Sequence, residues 1–367
     1  MTLFPKLITD ILTGVRYPGN GKNLVEAGMV ADDIRIDGKK VSFSLIFDKP
    51  TDPFIRSTVR SAEAAIETAL GDNVEIKGNI AVQIRHPRPE KPQLLPGVKN
   101  IVGVSSGKGG VGKSTVAANL AVSLAEKGFR VGLLDADIFG PSMPKMFGVE
   151  DEQLYIENVG GRDLILPIEK YGVKLLSIGF LVDKEKPVLW RGGMASNALK
   201  QLIGDAKWGG LDYFLIDMPP GTSDIHLTLV QTLGITGVVV VSTPQEVALA
   251  DARKGIAMFR QEQVDVPVLG IVENMAWFTP AQHPDEKYYI FGCGGAVRLA
   301  EETQIPLLAQ IPLVADVCTC GDGGKPSAIA EGDSPEKAAF GRLADNVVAA
   351  VERRNIELPP TTAVETH

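Results

Sequence analysis

The sequence has little cysteine: three thiols, at positions 293, 318 and 320, in 367 residues. So sparse and odd a set supplies no disulfide framework and points to a reducing compartment, the cytoplasm. Positive charge is also short, with 37 Lys and Arg against 45 Asp and Glu and a net charge of −8. That balance argues against a nucleic-acid surface, which needs clustered cations. Long apolar runs are missing: none reaches the roughly 18 residues of a membrane-spanning helix. The N-terminus, Met1-Thr-Leu-Phe-Pro-Lys6, lacks a signal peptide's apolar core. Neither a repeat nor a low-complexity block is present. The expectation is a cytoplasmic protein with no nucleic-acid and no membrane partner. The hydrophobic content of 44% and charged content of 22% are those of an ordinary globular chain, long enough for two domains.

Periodicity divides the chain. Residues 1–83 form a small α+β unit. Its expected helices are Leu3 to Leu12 and Pro53 to Leu70, the second with Ile55, Val59, Ala62, Ile66 and Ala69 on one face. Val41 to Phe47 and Ile80 to Ile84 read as strands. Residues 84–97 are a proline-rich linker, with four prolines between Arg85 and Pro96. From 98 to 355, short apolar runs alternate with helical segments: 100–104, 131–134, 214–216, 238–241, 268–272 and 307–308. Runs of this kind suit a mostly parallel sheet covered on both faces by helices, a three-layer α/β fold. Ligands bind such sheets beyond the carboxyl ends of the strands. The polar stretch 356–367 reads as a disordered tail.

At the first of those strand ends stands Ser105-Ser-Gly-Lys-Gly-Gly-Val-Gly-Lys-Ser-Thr115. Residues 107–114 fit G-x-x-x-x-G-K-[ST] at every fixed position, between an apolar strand and a helix that Gly128 ends. Such glycines let backbone N–H groups close on phosphate oxygens, and the following helix directs its positive end there. Gly107, Lys108, Gly109, Gly110, Val111, Gly112, Lys113, Ser114 and Thr115 are therefore the expected ATP site. Lys113 would reach the β- and γ-phosphates, and the Ser114 hydroxyl would ligate Mg²⁺. Two more strands end in carboxylates, in Leu133-Leu-Asp-Ala-Asp137 and Leu215-Ile-Asp-Met-Pro-Pro-Gly221. Asp217 holds the Walker-B position, suited to Mg²⁺, and Asp137 would orient or activate the attacking water. Taken singly, either aspartate also reads as a helix cap or turn residue.

Lys108-Gly-Gly-Val-Gly-Lys-Ser-Thr115 resembles the deviant phosphate loop of the MinD, ParA and nitrogenase-iron-protein class. Asp135-Ala-Asp-Ile-Phe-Gly-Pro-Ser142, Asp217-Met-Pro-Pro-Gly-Thr-Ser-Asp224 and Val272-Glu-Asn-Met275 are similar to motifs of the Mrp/ApbC family of iron–sulfur cluster carrier ATPases. Residues 1–83, with Leu24-Val-Glu-Ala-Gly-Met-Val30, resemble the small cluster-assembly domain often fused ahead of it. The resemblance implies a P-loop NTPase fold and a homodimer that hydrolyses ATP and delivers clusters to apoproteins. It makes Lys108 the signature lysine that reaches the partner's nucleotide, stabilising transferred charge as an arginine finger does. Asp137 falls in switch I and 217–224 in switch II. Asn274 matches the residue that contacts adenine, and Arg191 sits in a family motif, Trp190-Arg-Gly-Gly193.

The chain departs from the family after Glu273-Asn-Met275, where many members carry Cys-x-x-Cys as ligands of a [4Fe-4S] cluster shared by two subunits. No cysteine stands there in residues 273–292. The remaining candidate ligands are Cys318 and Cys320, expected in a loop, which from two subunits would supply the four thiolates a cluster needs. They also read as ordinary free cysteines. His226 is expected to pack or hydrogen-bond, His283 to be solvated. Trp277, Phe278, Tyr288 and Tyr289 are expected to pack locally or at a dimer interface. The alternative function is a nucleotide-gated scaffold with no cluster of its own. A membrane-bound positioning ATPase would want a basic amphipathic C-terminal helix, which Leu358 to His367 is not.

Overall fold

The computed structural model describes residues 3–361 apart from 32, 48, 50, 85–93, 139, 182–191, 281–282 and 284, together with 363. The chain divides into two compact units, Met1–Pro92 and Gln93–His367. Most of the linker expected at 84–97 lies outside the described residues, as do Trp190 and Arg191.

The first unit runs α1 (Pro5–Leu12), β1 (Arg35–Asp37), β2 (Lys40–Phe47), α2 (Ile55–Leu70) and β3 (Ile80–Ile84). Its sheet is ordered β1-β2-β3. β1 and β2 form an antiparallel hairpin through Gly38, at φ +61°, while α2 carries the crossover to parallel β3. Alternation on β2 buries Val41, Phe43, Leu45 and Phe47 against Ile8, Leu12 and Ile66. The buried stripe of α2 is Thr58, Ala62, Ile66 and Leu70, while Ala69 is exposed. The expected face held at Ala62 and Ile66 and drifted by one residue at the C-terminal end, where Leu70 has the larger apolar surface to bury.

The second unit runs β4 (Val98–Ser106), α3 (Lys113–Glu126), β5 (Val131–Asp135), α4 (Met143–Met146), β6 (Tyr155–Val159), β7 (Arg162–Leu166), β8 (Ile168–Lys170) and β9 (Val173–Ser177). It continues with α5 (Gly192–Gly204), β10 (Leu211–Asp217), α6 (Asp224–Thr232), β11 (Gly237–Ser242), α7 (Glu246–Phe259), β12 (Val268–Glu273), α8 (Gly295–Thr303), β13 (Leu307–Gln310), α9 (Ala315–Asp322) and α10 (Pro335–Glu357). Eight strands form one sheet in the order β13-β12-β11-β4-β10-β5-β9-β8, parallel throughout except β8. β6 and β7 form a separate hairpin.

Because successive strand residues face opposite sides, β11 packs against cores on both faces of the sheet. Val239 and Val241 pack with α3 and α10, through Leu120, Leu124, Phe340 and Val347. Val238 faces the core shared with α5 and α6, and Val240 the one shared with α7 and α8. The result is the three-layer arrangement the apolar runs predict. α3 ends as expected: Gly128, at φ +88°, donates to the Ala125 carbonyl at 2.9 Å just past the cap.

Helix α10 continues to Glu357, and Arg354 donates to the Pro359 carbonyl at 2.7 Å and the Thr361 hydroxyl at 2.5 Å. These bonds tie Pro359 and Thr361 back to the end of α10.

Candidate functional site

Three neighbouring strands, β4, β10 and β5, deliver the site at their carboxyl ends. Register sets Asp217 of β10 opposite Asp135 of β5 and Val104 of β4. The loop 107–112 leaves β4 and enters α3 at Lys113. Two of its glycines are sterically obligatory. A Cβ on Gly107 would lie 2.2 Å from the Asp251 backbone, and one on Gly112, already at φ +80°, 2.2 Å from the Asn274 amide. Gly109 and Gly110 are exposed with open space around them, Val111 is buried, and Thr115 is half-buried at the start of α3. Lys108 is half-exposed on the rim; the Ser106 hydroxyl donates to its carbonyl at 2.9 Å.

Lys113 is only 6% exposed, so its ammonium must be paired. Its Nζ lies 2.6 Å from Asp217 Oδ1 and 3.5 Å from Asp137 Oδ2. The Ser114 hydroxyl donates to Asp217 Oδ2 at 2.6 Å. Behind them Asp135, fully buried, accepts from Asp137 N–H at 3.2 Å, Met143 N–H at 3.2 Å and the Ser177 hydroxyl at 2.8 Å. Burial, and then the neighbouring Asp217, push the Asp135 carboxyl up to about 7. Burial also raises Asp217, against the pull of Lys113. One ammonium thus answers three buried carboxylates. The surplus negative charge, with a hydroxyl and carboxylate oxygens as donors, fits a hard divalent cation such as Mg²⁺ at Ser114 and Asp217.

Asn274, at the end of β12, donates from Nδ2 to the Val111 carbonyl at 2.9 Å, so its amide braces the loop. Glu273 beside it is buried and accepts from Ala296 N–H at 2.9 Å, fixing the start of α8, and from the Gln310 amide. Sequence reasoning quoted Asp135 and Glu273 within motifs without giving either a role, and passed over Ser177. The segment 217–224 hangs on the loop strand, with Gly221 N–H donating to the Ser106 carbonyl at 2.8 Å. His226 is buried, closes a capping box with Ser223 and packs edge-on to Phe259; burial lowers its pKa and keeps it neutral. It packs, as expected.

The cysteines correct the sequence reading. Cys318 and Cys320 lie not in a loop but within α9. Two positions apart on an α-helix, side chains diverge by about 200°, so the pair does not present two thiolates to one point. Cys318 is exposed, 3.7 Å from Asp322 Oδ2; Cys320 is half-buried and Cys293 exposed. Among the described residues no group of three or more His, Cys, Asp and Glu side chains is arranged to hold a metal ion. In the segment lacking Cys-x-x-Cys, Phe278 pairs through its backbone with Tyr288 and Leu313, and the Lys287 ammonium sits 4.0 Å above the Trp277 ring. Tyr288, Tyr289 and His283 are exposed.

Comparison with known proteins agrees with this geometry. The family model described as NUBPL iron-transfer P-loop NTPase matches residues 97–348, and that of an iron-sulfur cluster assembly protein matches residues 6–77. A protein of Synechocystis named iron-sulfur cluster carrier protein is 41% identical over 345 residues, 94% of this chain and 97% of its own length. One of the same name from Aquifex aeolicus is 47% identical over 261 residues, 71% of this chain and 70% of its own. The solved nucleotide-binding protein of Archaeoglobus fulgidus in complex with ADP is 39% identical, with a TM-score of 0.56 over 66% of this chain and 92% of its own. The phosphate loop, the carboxylates at the strand ends and these matches together make the chain a member of the iron-transfer P-loop NTPase family.

Proposed function

We propose that this chain is a homodimeric, cytoplasmic ATPase that carries an iron–sulfur cluster and passes it to apoproteins, with nucleotide state timing dimer closure. The observation that carries the reading is the buried Lys113 ammonium facing Asp217 and Asp137 at the head of a glycine loop. Nearly all of the chain matches a relative named for cluster carriage.

In this reading the loop N–H groups and Lys113 bind the phosphates, Lys113 exchanging part of its pairing with Asp217 for phosphate oxygens. Ser114 and Asp217 would hold Mg²⁺, which would neutralise phosphate charge when bound. Asp137 orients water and takes its proton at the carboxylate. Lys108, on the rim, serves the partner's nucleotide, so hydrolysis waits for closure. Asn274, already braced on the loop, borders the adenine. The cluster is cargo rather than a resident group.

The test is anaerobic reconstitution with iron and sulfide, read by visible absorbance, followed by transfer to an apoprotein with and without ATP. Expected are a reconstituted chromophore and a transfer rate that responds to ATP. Absence of any chromophore in wild type would overturn the carrier reading. The diverging Cys318 and Cys320 favour a second reading, a nucleotide-gated scaffold. It expects ATP-dependent capture of a partner to survive removal of all three cysteines.

A further inference from the structure

Asp135 is a fully buried carboxylate whose three hydrogen bonds come from separate parts of the chain. Oδ1 accepts from Asp137 N–H at 3.2 Å, and Oδ2 from Met143 N–H at 3.2 Å. One side chain therefore holds the segment containing Asp137 at its beginning and at its end, where α4 starts. The Ser177 hydroxyl, from the end of β9, donates to the same Oδ2 at 2.8 Å and itself accepts from Gly179 N–H at 2.9 Å. Ser177 cannot drift, because β9 and β5 are in register with Ser177 opposite Asp135. Gly179 adds a second contact with the segment: a Cβ there would lie 3.0 Å from Pro141 Cβ, so the backbone approaches closely. Asp137, held between these anchors, makes the ion pair with Lys113 at 3.5 Å.

We infer that Asp135 and Ser177 are positioning residues: a clamp that fixes the backbone on both sides of switch I and so aims the Asp137 carboxylate at the phosphate site. A buried acceptor that has lost a donor changes geometry or leaves a neighbouring group unpaired. Removing the Ser177 hydroxyl takes the shortest of the three bonds from Asp135, leaves Oδ2 to Met143 N–H, and orphans Gly179 N–H. Both effects loosen Asp137 without altering the loop that binds nucleotide. The catalytic part of the inference rests on the ATPase reading given above; the clamp itself does not.

Two measurements on Ser177→Ala, Ser177→Thr and wild type separate these parts. Hydrogen exchange of the Asp137 and Met143 amides in nucleotide-free protein reads the clamp. Exchange should quicken about tenfold in Ser177→Ala, as loss of one buried hydrogen bond of about 1.4 kcal/mol implies. It should stay near wild type in Ser177→Thr, which keeps the hydroxyl, and amides of residues 113–120 should not change. Unchanged exchange at Asp137 and Met143 in Ser177→Ala overturns the clamp, whatever the protein hydrolyses. Steady-state turnover then reads its consequence: Ser177→Ala should lower kcat about tenfold with nucleotide Kd within twofold, and Ser177→Thr should restore it. In an Asp137→Ala background Ser177→Ala should cause no further loss, because the residue it positions is gone. An equal further loss in that background overturns the assignment to Asp137. A wild-type protein that binds ATP without hydrolysing it overturns the ATPase reading and leaves the exchange result standing on its own.

Discussion

Two lysines five residues apart do different work, and their environments say which is which. Lys113 is enclosed and pairs at 2.6 Å with Asp217, itself wholly buried. Removing one partner of such a pair strands the other charge, at about 3 kcal/mol. Lys113→Ala is therefore expected to lower the melting temperature of the nucleotide-free protein and to abolish ATP binding, measured by thermal unfolding and by fluorescent-nucleotide titration. Lys108 lies on the rim, half-exposed, so Lys108→Ala should leave stability and nucleotide affinity near wild type. If it serves the partner's nucleotide, turnover should fall by about 10³-fold, the scale of a missing arginine finger. Equal turnover in Lys108→Ala and wild type would refute that role. The place of Lys113 at the head of the loop was legible in the phosphate-loop pattern, whereas a separate role for Lys108 came only from the family resemblance. The partners behind Lys113 were not legible: Asp135 meets Ser177 across 42 residues and Asn274 meets Val111 across 163. Such pairings depend on strand order, which local periodicity does not encode.

At the scale of elements, close approach explains the glycines better than flexibility does. Gly107 passes against the backbone of α7 at Asp251, where a methyl group has no room. Gly107→Ala should displace the loop from α7 and weaken ATP binding at least about tenfold, a loss of roughly 1.4 kcal/mol, measured by calorimetric titration. Little effect on affinity would mean that α7 yields. The opposite ends of the strands carry a different device. Asp212, at the start of β10, accepts from Arg130 at 3.0 Å and pairs with Lys99 at 2.9 Å, joining β10 to the strand entries on either side. The Arg130 side chain first, then its backbone N–H and Lys99, hold the Asp212 carboxyl far below the usual range. A carboxyl with a depressed folded pKa stabilises above its unfolded value, near 3.8, and loses that contribution as pH falls through the folded one. Asp212→Asn should therefore melt lower than wild type at pH 7, the gap closing in strong acid; a gap independent of pH would assign the effect to packing. Strands and α3 were readable because apolar runs and i, i+3, i+4 spacing are local. α9 was not: Gly321, Gly323 and Gly324 gave its sequence the look of a loop, yet the helix forms from Ala315 and ends at the first of two adjacent glycines.

At the scale of the whole molecule, each unit packs hydrophobic residues of its own. The first unit packs Ile8, Leu12, Phe43, Phe47 and Ile66 among themselves; the second begins its core at Leu95, which packs with Leu202 and Phe214. Every residue placed at the phosphate site, from Gly107 to Asn274, belongs to the second unit. All three cysteines lie there as well, so thiolate ligation of a cluster by the first unit is excluded by composition. A chain starting at Gln93 keeps Leu95 and the complete sheet. It should bind nucleotide and turn it over within about twofold of the full chain, since it holds every residue placed at the phosphate site. Iron bound per chain after anaerobic reconstitution should be unchanged. If turnover collapses while circular dichroism and the melting transition of the Gln93–His367 fragment stay intact, the first unit acts on the ATPase rather than beside it. If turnover and iron content hold but transfer to apoprotein slows, the first unit serves delivery, and its matched cluster-assembly domain, residues 6–77, would be the surface on which to look for the recipient.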